Sequence, residues 1–276
     1  MKIKDKLQQL TREGRGLLAT NFYNLETLHG VLQAAADLRE PLILQLTKSS
    51  IDYMGIETAV AMGRNGLKEY GVEGWLHLDH GGSIEIVQQC LDAGFDSVMI
   101  DGSELAFEEN IRITREVVNR AKSYGAHVEA ELGYVAKLGQ SHKQQGFTQP
   151  AEAKKFVNET GIDALAVAVG TAHGFYKEEP ILQLELLSEI AASTSATLVL
   201  HGGSGVPETQ LRQAISRGIC KVNLATEIKN IFMKSLQSEL RYNEEIDLRI
   251  IFPKATEQIT ELVKGKLEIV KNGKLC

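Results

Sequence analysis

Ala164-Leu165-Ala166-Val167-Ala168-Val169 is an unbroken apolar run that leads directly into Gly170-Thr171-Ala172-His173-Gly174. Six apolar residues are far too few to cross a bilayer. The lack of any polar alternation is what a strand covered on both faces shows. Leu42-Ile43-Leu44-Gln45-Leu46 has the same character. Working outward from these two, eight β-rich runs emerge: Gly16–Asn21, Pro41–Thr47, Gly74–His80, Ser97–Asp101, His127–Leu132, Ala164–Gly170, Thr197–Gly203 and Cys220–Thr226. Their starts lie 23 to 37 residues apart, the length of one strand and the helix that returns from it.

The segments between them carry apolar residues near a 3.6-residue period: Leu25–Leu38, Ile84–Ala93, Glu108–Tyr124, Pro150–Thr160, Leu182–Ala192 and Pro207–Arg217. Gly94, Gly125, Gly161 and Gly218 follow helical stretches as terminating glycines do. Eight such units predict an α/β fold, a single (β/α)₈ TIM barrel. A doubly wound sheet would want a glycine fingerprint after its first strand, and none is present. No Pro/Ser-rich seam or internal repeat divides residues 1–276, so one domain is expected. Its C-terminal helical tail, about 227–276, includes the charged segments Lys229–Leu240 and Thr256–Lys271.

Composition narrows the function. Of 276 residues, 43% are hydrophobic and 24% charged, which excludes disordered and fibrous classes. A chain of this length buries roughly three-quarters of its unfolded surface without staples. Its net charge of −6 argues against a nucleic-acid partner, which would need a basic face. An anionic substrate must therefore be captured locally. Cys90, Cys220 and Cys276 have no metal-like spacing and read as free thiols in a reducing compartment. Met1 to Lys6 opens a polar amphipathic stretch without a signal-peptide core. A cytoplasmic protein with no membrane partner is expected.

In a barrel, chemistry gathers at the C-terminal ends of the strands. Those ends hold Asn21, Asp79-His80, Asp101, His173, His201 and Asn223-Leu224-Ala225-Thr226, while Glu129 and Glu131 alternate along the fifth run. Three imidazoles from separate strand ends can face one point, the arrangement of a catalytic zinc with an open position. His29, His77, His127 and His142 read as structural. Asp79 is either a carboxylate orienting a metal-bound imidazole or a general acid/base beside the metal. Asn21, Asp101, Glu129 and Glu131 are accessory candidates, since buried carboxylates need a partner. Gly202-Gly203-Ser204-Gly205 and Asn223 to Thr226 follow the last two strands, where barrels often bind phosphate through backbone N–H groups. The residues thus point to a metal-dependent enzyme acting on a small phosphorylated molecule. A metal-dependent phosphosugar hydrolase or epimerase and a non-catalytic barrel subunit are the alternatives.

Leu76-His77-Leu78-Asp79-His80-Gly81, Ser97 to Ser103, Val128 to Gly133, Gly170 to Gly174, Leu200 to Gly205 and Lys221 to Glu227 together resemble the class II ketose-bisphosphate aldolases. The match runs in order from about Asn21 to Lys229. Ala225-Thr226-Glu227 is most like the tagatose-1,6-bisphosphate aldolase branch; the fructose-bisphosphate branch commonly has Asp at the Ala225 position. The resemblance implies Zn²⁺ held by His80, His173 and His201, and Asp79 exchanging the proton at the aldehyde-derived oxygen. It implies dihydroxyacetone phosphate cradled by Gly174, Gly202, Gly203, Ser204 and Asn223 through Thr226, with a monovalent cation (Na⁺ or K⁺) nearby. It further implies a sugar-phosphate substrate and a homodimer or homotetramer, in some relatives with a separate non-catalytic subunit. A Schiff-base mechanism is disfavoured: the sixth run ends without a lysine, and Lys221 lies at the wrong end of the eighth.

The chain departs from the family after Glu131-Leu132-Gly133. Tyr134 to Lys143 lacks the usual Gly-Gly and acidic pairs and contains Lys137, His142 and Lys143 instead. A carboxylate on that loop exchanges the enediolate proton in relatives, so that role lacks its usual owner. One reading is divergence, with another group or water exchanging the proton. The other is that Lys48 and Lys137 receive an anionic group at the far end of the substrate, either an ordinary bisphosphate or a sulfonated sugar phosphate. Thr20 also stands where the family usually has Phe.

Overall fold

The structure is a computed structural model that describes residues 1–133, 135–137, 146–176 and 178–273, the side chains of residues 136 and 137 excepted. Eight parallel strands close into a barrel: β1 (Leu17–Asn21), β2 (Leu42–Thr47), β3 (Gly74–Gly81), β4 (Ser97–Ile100), β5 (His127–Leu132), β7 (Ala164–Val167), β9 (Thr197–Leu200) and β10 (Ile219–Leu224). The order around the barrel is β1-β10-β9-β7-β5-β4-β3-β2, so each predicted run pairs with its neighbours in sequence and the last pairs with the first. The remaining strands, β6 (Ala136–Lys137) and β8 (Ala172–His173), form a separate two-stranded pair.

Helices α2 (Leu25–Leu38), α5 (Ile84–Asp92), α6 (Phe107–Ala121), α7 (Pro150–Thr160), α8 (Leu184–Ser193) and α9 (Glu208–Ser216) fall where the period placed them. The predicted elements leave residues 1–15 and 48–71 without structure. There the chain forms α1 (Ile3–Glu13), α3 (Lys48–Met54) and α4 (Ile56–Tyr70). The apolar face of α1 closes the N-terminal end of the barrel: Ile3, Leu7 and Leu10 pack with Leu17, Ala19, Ile43, Trp75 and Cys220. Trp75 Nε1 donates to the Met1 carbonyl at 3.2 Å, giving the buried indole its partner.

The C-terminal tail continues the helical layer. α10 (Thr226–Leu240) starts at the end of the eighth predicted run, and α11 (Leu248–Lys271) starts eight residues before the predicted segment. α11 lies along α2, and Gly30 allows the approach. A Cβ there would stand 2.8 Å from both Ile259 Cβ and the Thr256 carbonyl, and Thr260 Oγ1 donates to the Gly30 carbonyl at 3.1 Å. No described helix is long and apolar enough to cross a membrane.

Four predicted strand ends are corrected. β4 stops at Ile100, β7 at Val167, β9 at Leu200 and β10 at Leu224. Beyond these points the backbone leaves the ladder for loops that carry the polar residues of the barrel mouth. A backbone that turns to present side chains across the mouth cannot also keep ladder hydrogen bonds.

Candidate functional site

The bend that shapes the mouth lies in β3. Its register with β4 shifts between Leu78 and Gly81, and His80 adopts a left-handed backbone with φ of +50°. Non-glycine residues rarely hold that conformation, and such strain persists only where surrounding structure imposes it. The turn brings the His80 ring against those of His173 and His201, with centroids 4.8 and 4.7 Å away. One ligand atom from each of His80, Glu131, His173 and His201 lies within 4.8 Å of all the others. The three predicted histidines therefore converge. Glu131, expected only as an accessory carboxylate, stands inside the cluster with them.

The surrounding contacts aim each ring. His80 Nδ1 donates to Asp101 Oδ2 at 2.7 Å, leaving its Nε2 for the cluster. Asp101 is itself held by Ser103, whose backbone N–H and hydroxyl donate to Oδ1 at 3.1 and 2.7 Å. His201 Nε2 bonds Glu129 Oε1 at 3.0 Å. Its Nδ1 lies 3.0 Å from Glu131 Oε2, yet the angle is poor and both buried atoms lack a hydrogen-bond partner. Two orphaned donor atoms side by side, with two more imidazoles adjacent, suit a metal ion that accepts nitrogen and carboxylate ligands.

Burial alone would lower His201, but the Glu129 and Glu131 carboxylates push it up to about 10. Burial and the neighbouring His80 and His201 push His173 down to about 3. His80 is raised against its burial, chiefly by Asp79 and Asp101. Burial would raise Asp101 and Asp79. The hydrogen bond from His80 holds Asp101 below the usual carboxylate range, and the charges of His80, His201 and Lys221 hold Asp79 below it. The mouth thus holds its carboxylates ionised beside the three imidazoles.

Asp79 is 5% exposed and held from both sides. Asn21 Nδ2 donates to Oδ2 at 3.3 Å and Asn223 Nδ2 to Oδ1 at 3.2 Å. Gln45 Nε2 in turn donates to Asn21 Oδ1 at 3.2 Å. Gln45 is not among the predicted site residues, although a lone amide within Leu42-Ile43-Leu44-Gln45-Leu46 signals an inward-facing polar partner. Tyr23 was also missed. Its Oη donates to the Ala225 carbonyl at 3.4 Å, and burial with the nearby Asp79 charge raises its hydroxyl.

The proposed phosphate loops meet beside this cluster. Gly202 has φ of +68°, and a Cβ there would stand 2.5 Å from the Ala172 carbonyl; at Gly203 it would stand 2.7 Å from the Asn223 carbonyl. Gly203 N–H donates to that same Asn223 oxygen at 3.1 Å, tying the two loops together. Ser204 Oγ accepts from Glu227 N–H at 3.2 Å. Leu224, Ala225 and Thr226 lead into α10, whose first turn leaves N–H groups without intrahelical partners. Tyr176, also missed from sequence, joins the loops at 172 and 202. Its hydroxyl accepts from Ala172 N–H at 2.8 Å and donates to the Gly202 carbonyl at 2.9 Å. Gly174, at φ of +107°, follows His173.

The candidate far-end cations fare differently. Lys48 is exposed in the first turn of α3, and its Nζ lies 2.5 Å from Asp52 Oδ2, so an anion there would compete with a carboxylate already in place. The Lys137 backbone pairs with His173, while its side chain lies outside the described residues. His142 and Lys143 lie outside them as well. His29 sits on α2, apart from the mouth.

His77 and His127 are buried below the mouth, joined through Ser97 Oγ at 2.8 and 3.1 Å. Burial pushes them down to about 3 and about 4. Both are neutral in the folded state at neutral pH, whereas the unfolded chain protonates them below about 6.5. The unfolded state therefore binds more protons below that point, and stability falls as pH drops from 6.5 toward 4. Each histidine contributes about 1.4 kcal/mol per pH unit in this window. Denaturant melts between pH 7 and 4.5 should show this slope, and His127→Gln should flatten it by about one proton. An unchanged slope in that variant would show that the buried ring is not the source.

An eight-stranded barrel with three imidazoles and a carboxylate gathered at its mouth, beside a glycine turn and a helix N-terminus, defines an enzyme built around a candidate metal centre. The chain belongs to the family described as fructose-bisphosphate aldolase class-II, whose model matches residues 1–274, and it is accordingly a lyase of the aldolase type. It is 41% identical over 246 residues to the D-tagatose-1,6-bisphosphate aldolase subunit GatY of Klebsiella oxytoca, covering 88% of this chain and 87% of that protein. The crystal structure of the YdjI aldolase from Escherichia coli K12 superimposes with a TM-score of 0.87 at 31% identity, covering 97% of this chain and 96% of that one. A fructose-bisphosphate aldolase from Campylobacter jejuni, 21% identical, shares the fold with a TM-score of 0.83 over 98% of this chain and 95% of that chain.

Proposed function

We propose that this chain is a zinc-dependent aldolase that reversibly cleaves a ketose bisphosphate or ketose 1-phosphate, with tagatose 1,6-bisphosphate the foremost substrate. The products are dihydroxyacetone phosphate and an aldehyde. The observation that carries this reading is the convergence of His80, Glu131, His173 and His201 at one end of the barrel, beside a carboxylate gripped by two carboxamides. The similarity to the tagatose-bisphosphate aldolase subunit GatY supports the choice of substrate.

His80, His173 and His201, with Glu131 in reach, would hold the zinc ion, which when bound would supply Lewis acidity toward the ketose carbonyl. The chain's own residues do the rest. Asp79 accepts the proton of the C4 hydroxyl as the C3–C4 bond breaks and the aldehyde C=O forms. The bonding pair stays with the three-carbon phosphate half, which takes a proton at C3 from water to give dihydroxyacetone phosphate, while the proton on Asp79 returns to solvent. Asn21 and Asn223 hold the Asp79 carboxylate in line for the transfer, so its orientation is set before substrate arrives. The loop at Gly202 to Ser204 and the start of α10 bind the phosphate through backbone N–H groups.

The test is a panel of tagatose 1,6-bisphosphate, fructose 1,6-bisphosphate and ketose 1-phosphates, with coupled detection of triose phosphate. Zinc-loaded protein should cleave at least one, with the highest kcat/KM for tagatose 1,6-bisphosphate. Cleavage of none would refute the aldolase activity, and a clear preference for a different ketose would move the substrate assignment.

A further inference from the structure

Beneath the candidate metal centre lies a polar core that the reaction scheme leaves unused. Lys221 projects from β10 into the barrel and is 1% exposed. Its Nζ lies 2.7 Å from Glu129 Oε2 and 3.3 Å from His77 Nε2. An ammonium has only donors, so both neighbours must accept. His77 Nε2 then carries the lone pair and Nδ1 the proton, which it donates to Ser97 Oγ. The Ser97 hydroxyl is left to donate to His127 Nδ1. On the other side, the Lys221 bond occupies Glu129 Oε2 and leaves Oε1 to accept from His201 Nε2. With its proton placed on Nε2, His201 turns Nδ1 toward Glu131, which shares the cluster with His80 and His173. One buried donor thus orders bonds that reach from the floor of the barrel to a residue of its mouth.

We propose that Lys221 is a positioning residue for the metal centre: by pinning Glu129, it fixes the ring orientation of His201 and so the direction of the His201 Nδ1 lone pair. This rests on the reading of His80, His173 and His201 as metal ligands. It assigns Lys221 no contact with substrate. Partners of this kind behind a ligating histidine commonly change metal affinity 10–100-fold when removed.

The experiment measures zinc affinity by competition with a chromophoric chelator, alongside thermal melts, for wild type, Lys221→Met, Glu129→Gln, the double variant and Ser97→Ala. Lys221→Met should weaken zinc binding about 10–100-fold while kcat at saturating zinc stays within a few-fold of wild type. Lys221→Met leaves the Glu129 charge buried alone and can impair folding; the double variant removes both charges and keeps the comparison open. Because the two substitutions cut one connection, the double variant should lose about as much affinity as the weaker single variant. Ser97→Ala, at the far end of the same network, should lower the melting temperature and leave zinc affinity within about two-fold.

Wild-type affinity in the double variant would overturn the inference. So would an equal loss in Ser97→Ala, which would mark general loosening. Wild-type protein that takes up no zinc would instead overturn the metal reading on which the inference stands.

Discussion

Asp79→Asn is expected to lower kcat by about 10²–10⁴-fold, the usual contribution of a positioned proton acceptor. The substitution preserves shape and volume but removes the basic oxygen that accepts the C4 hydroxyl proton. Asn21 and Asn223 grip the native carboxylate at 3.3 and 3.2 Å, so an amide there would meet one of them donor to donor. KM should change only a few-fold, because the phosphate loops are untouched, and bound zinc should stay at the wild-type level. Steady-state kinetics with metal analysis separate the outcomes. A kcat within ten-fold of wild type would remove Asp79 from the proton-transfer role; loss of zinc would instead make it a support for the metal ligands.

Removal of metal is expected to have the larger effect. Chelation should abolish cleavage, and added zinc should restore it. His173→Ala should have the same consequence without chelator, by taking one nitrogen from the converging set. Loading should also stabilise the fold, since a ligand that binds only the native state adds about 4 kcal/mol at a thousand times its Kd. The melting temperature should therefore rise with zinc in wild type and much less in His173→Ala. Full activity after exhaustive chelation would sink the zinc assignment.

The barrel was legible because eight short β-rich runs recur at one helix-plus-strand spacing, a local property of the chain. That Asp79 and the three histidines lie together at one end of the barrel was legible for a related reason: in this fold the ends of strands are known positions, so sequence order maps onto a circle. α1, α3 and α4 were not legible. The apolar face of α1 has meaning only against the barrel floor formed by Leu17, Ile43, Trp75 and Cys220. Residues 48–71 contain glycines that blur a helical period, although Gly63 and Gly66 lie close against the side chains of Leu76 and Leu32. Gln45 and Tyr176 were visible as letters, but nothing in their own neighbourhoods announced Asn21 or the Gly202 carbonyl as partners.

By itself, the sequence determined the barrel, the strand ends at which polar residues gather and the residue types able to hold a metal and move a proton. Periodicity and punctuation act over a few residues, so they survive in one dimension. Only the tertiary structure decided that Glu131 joins the imidazoles, that His80 takes a left-handed backbone, that Lys48 is already paired with Asp52 and that Lys221 stands behind His201 through Glu129. Each of these depends on strand register, on a bulge in β3 or on distances between segments far apart in the chain. Closure of the barrel sets those quantities, because rotating or sliding one strand would unpair its neighbours on both sides.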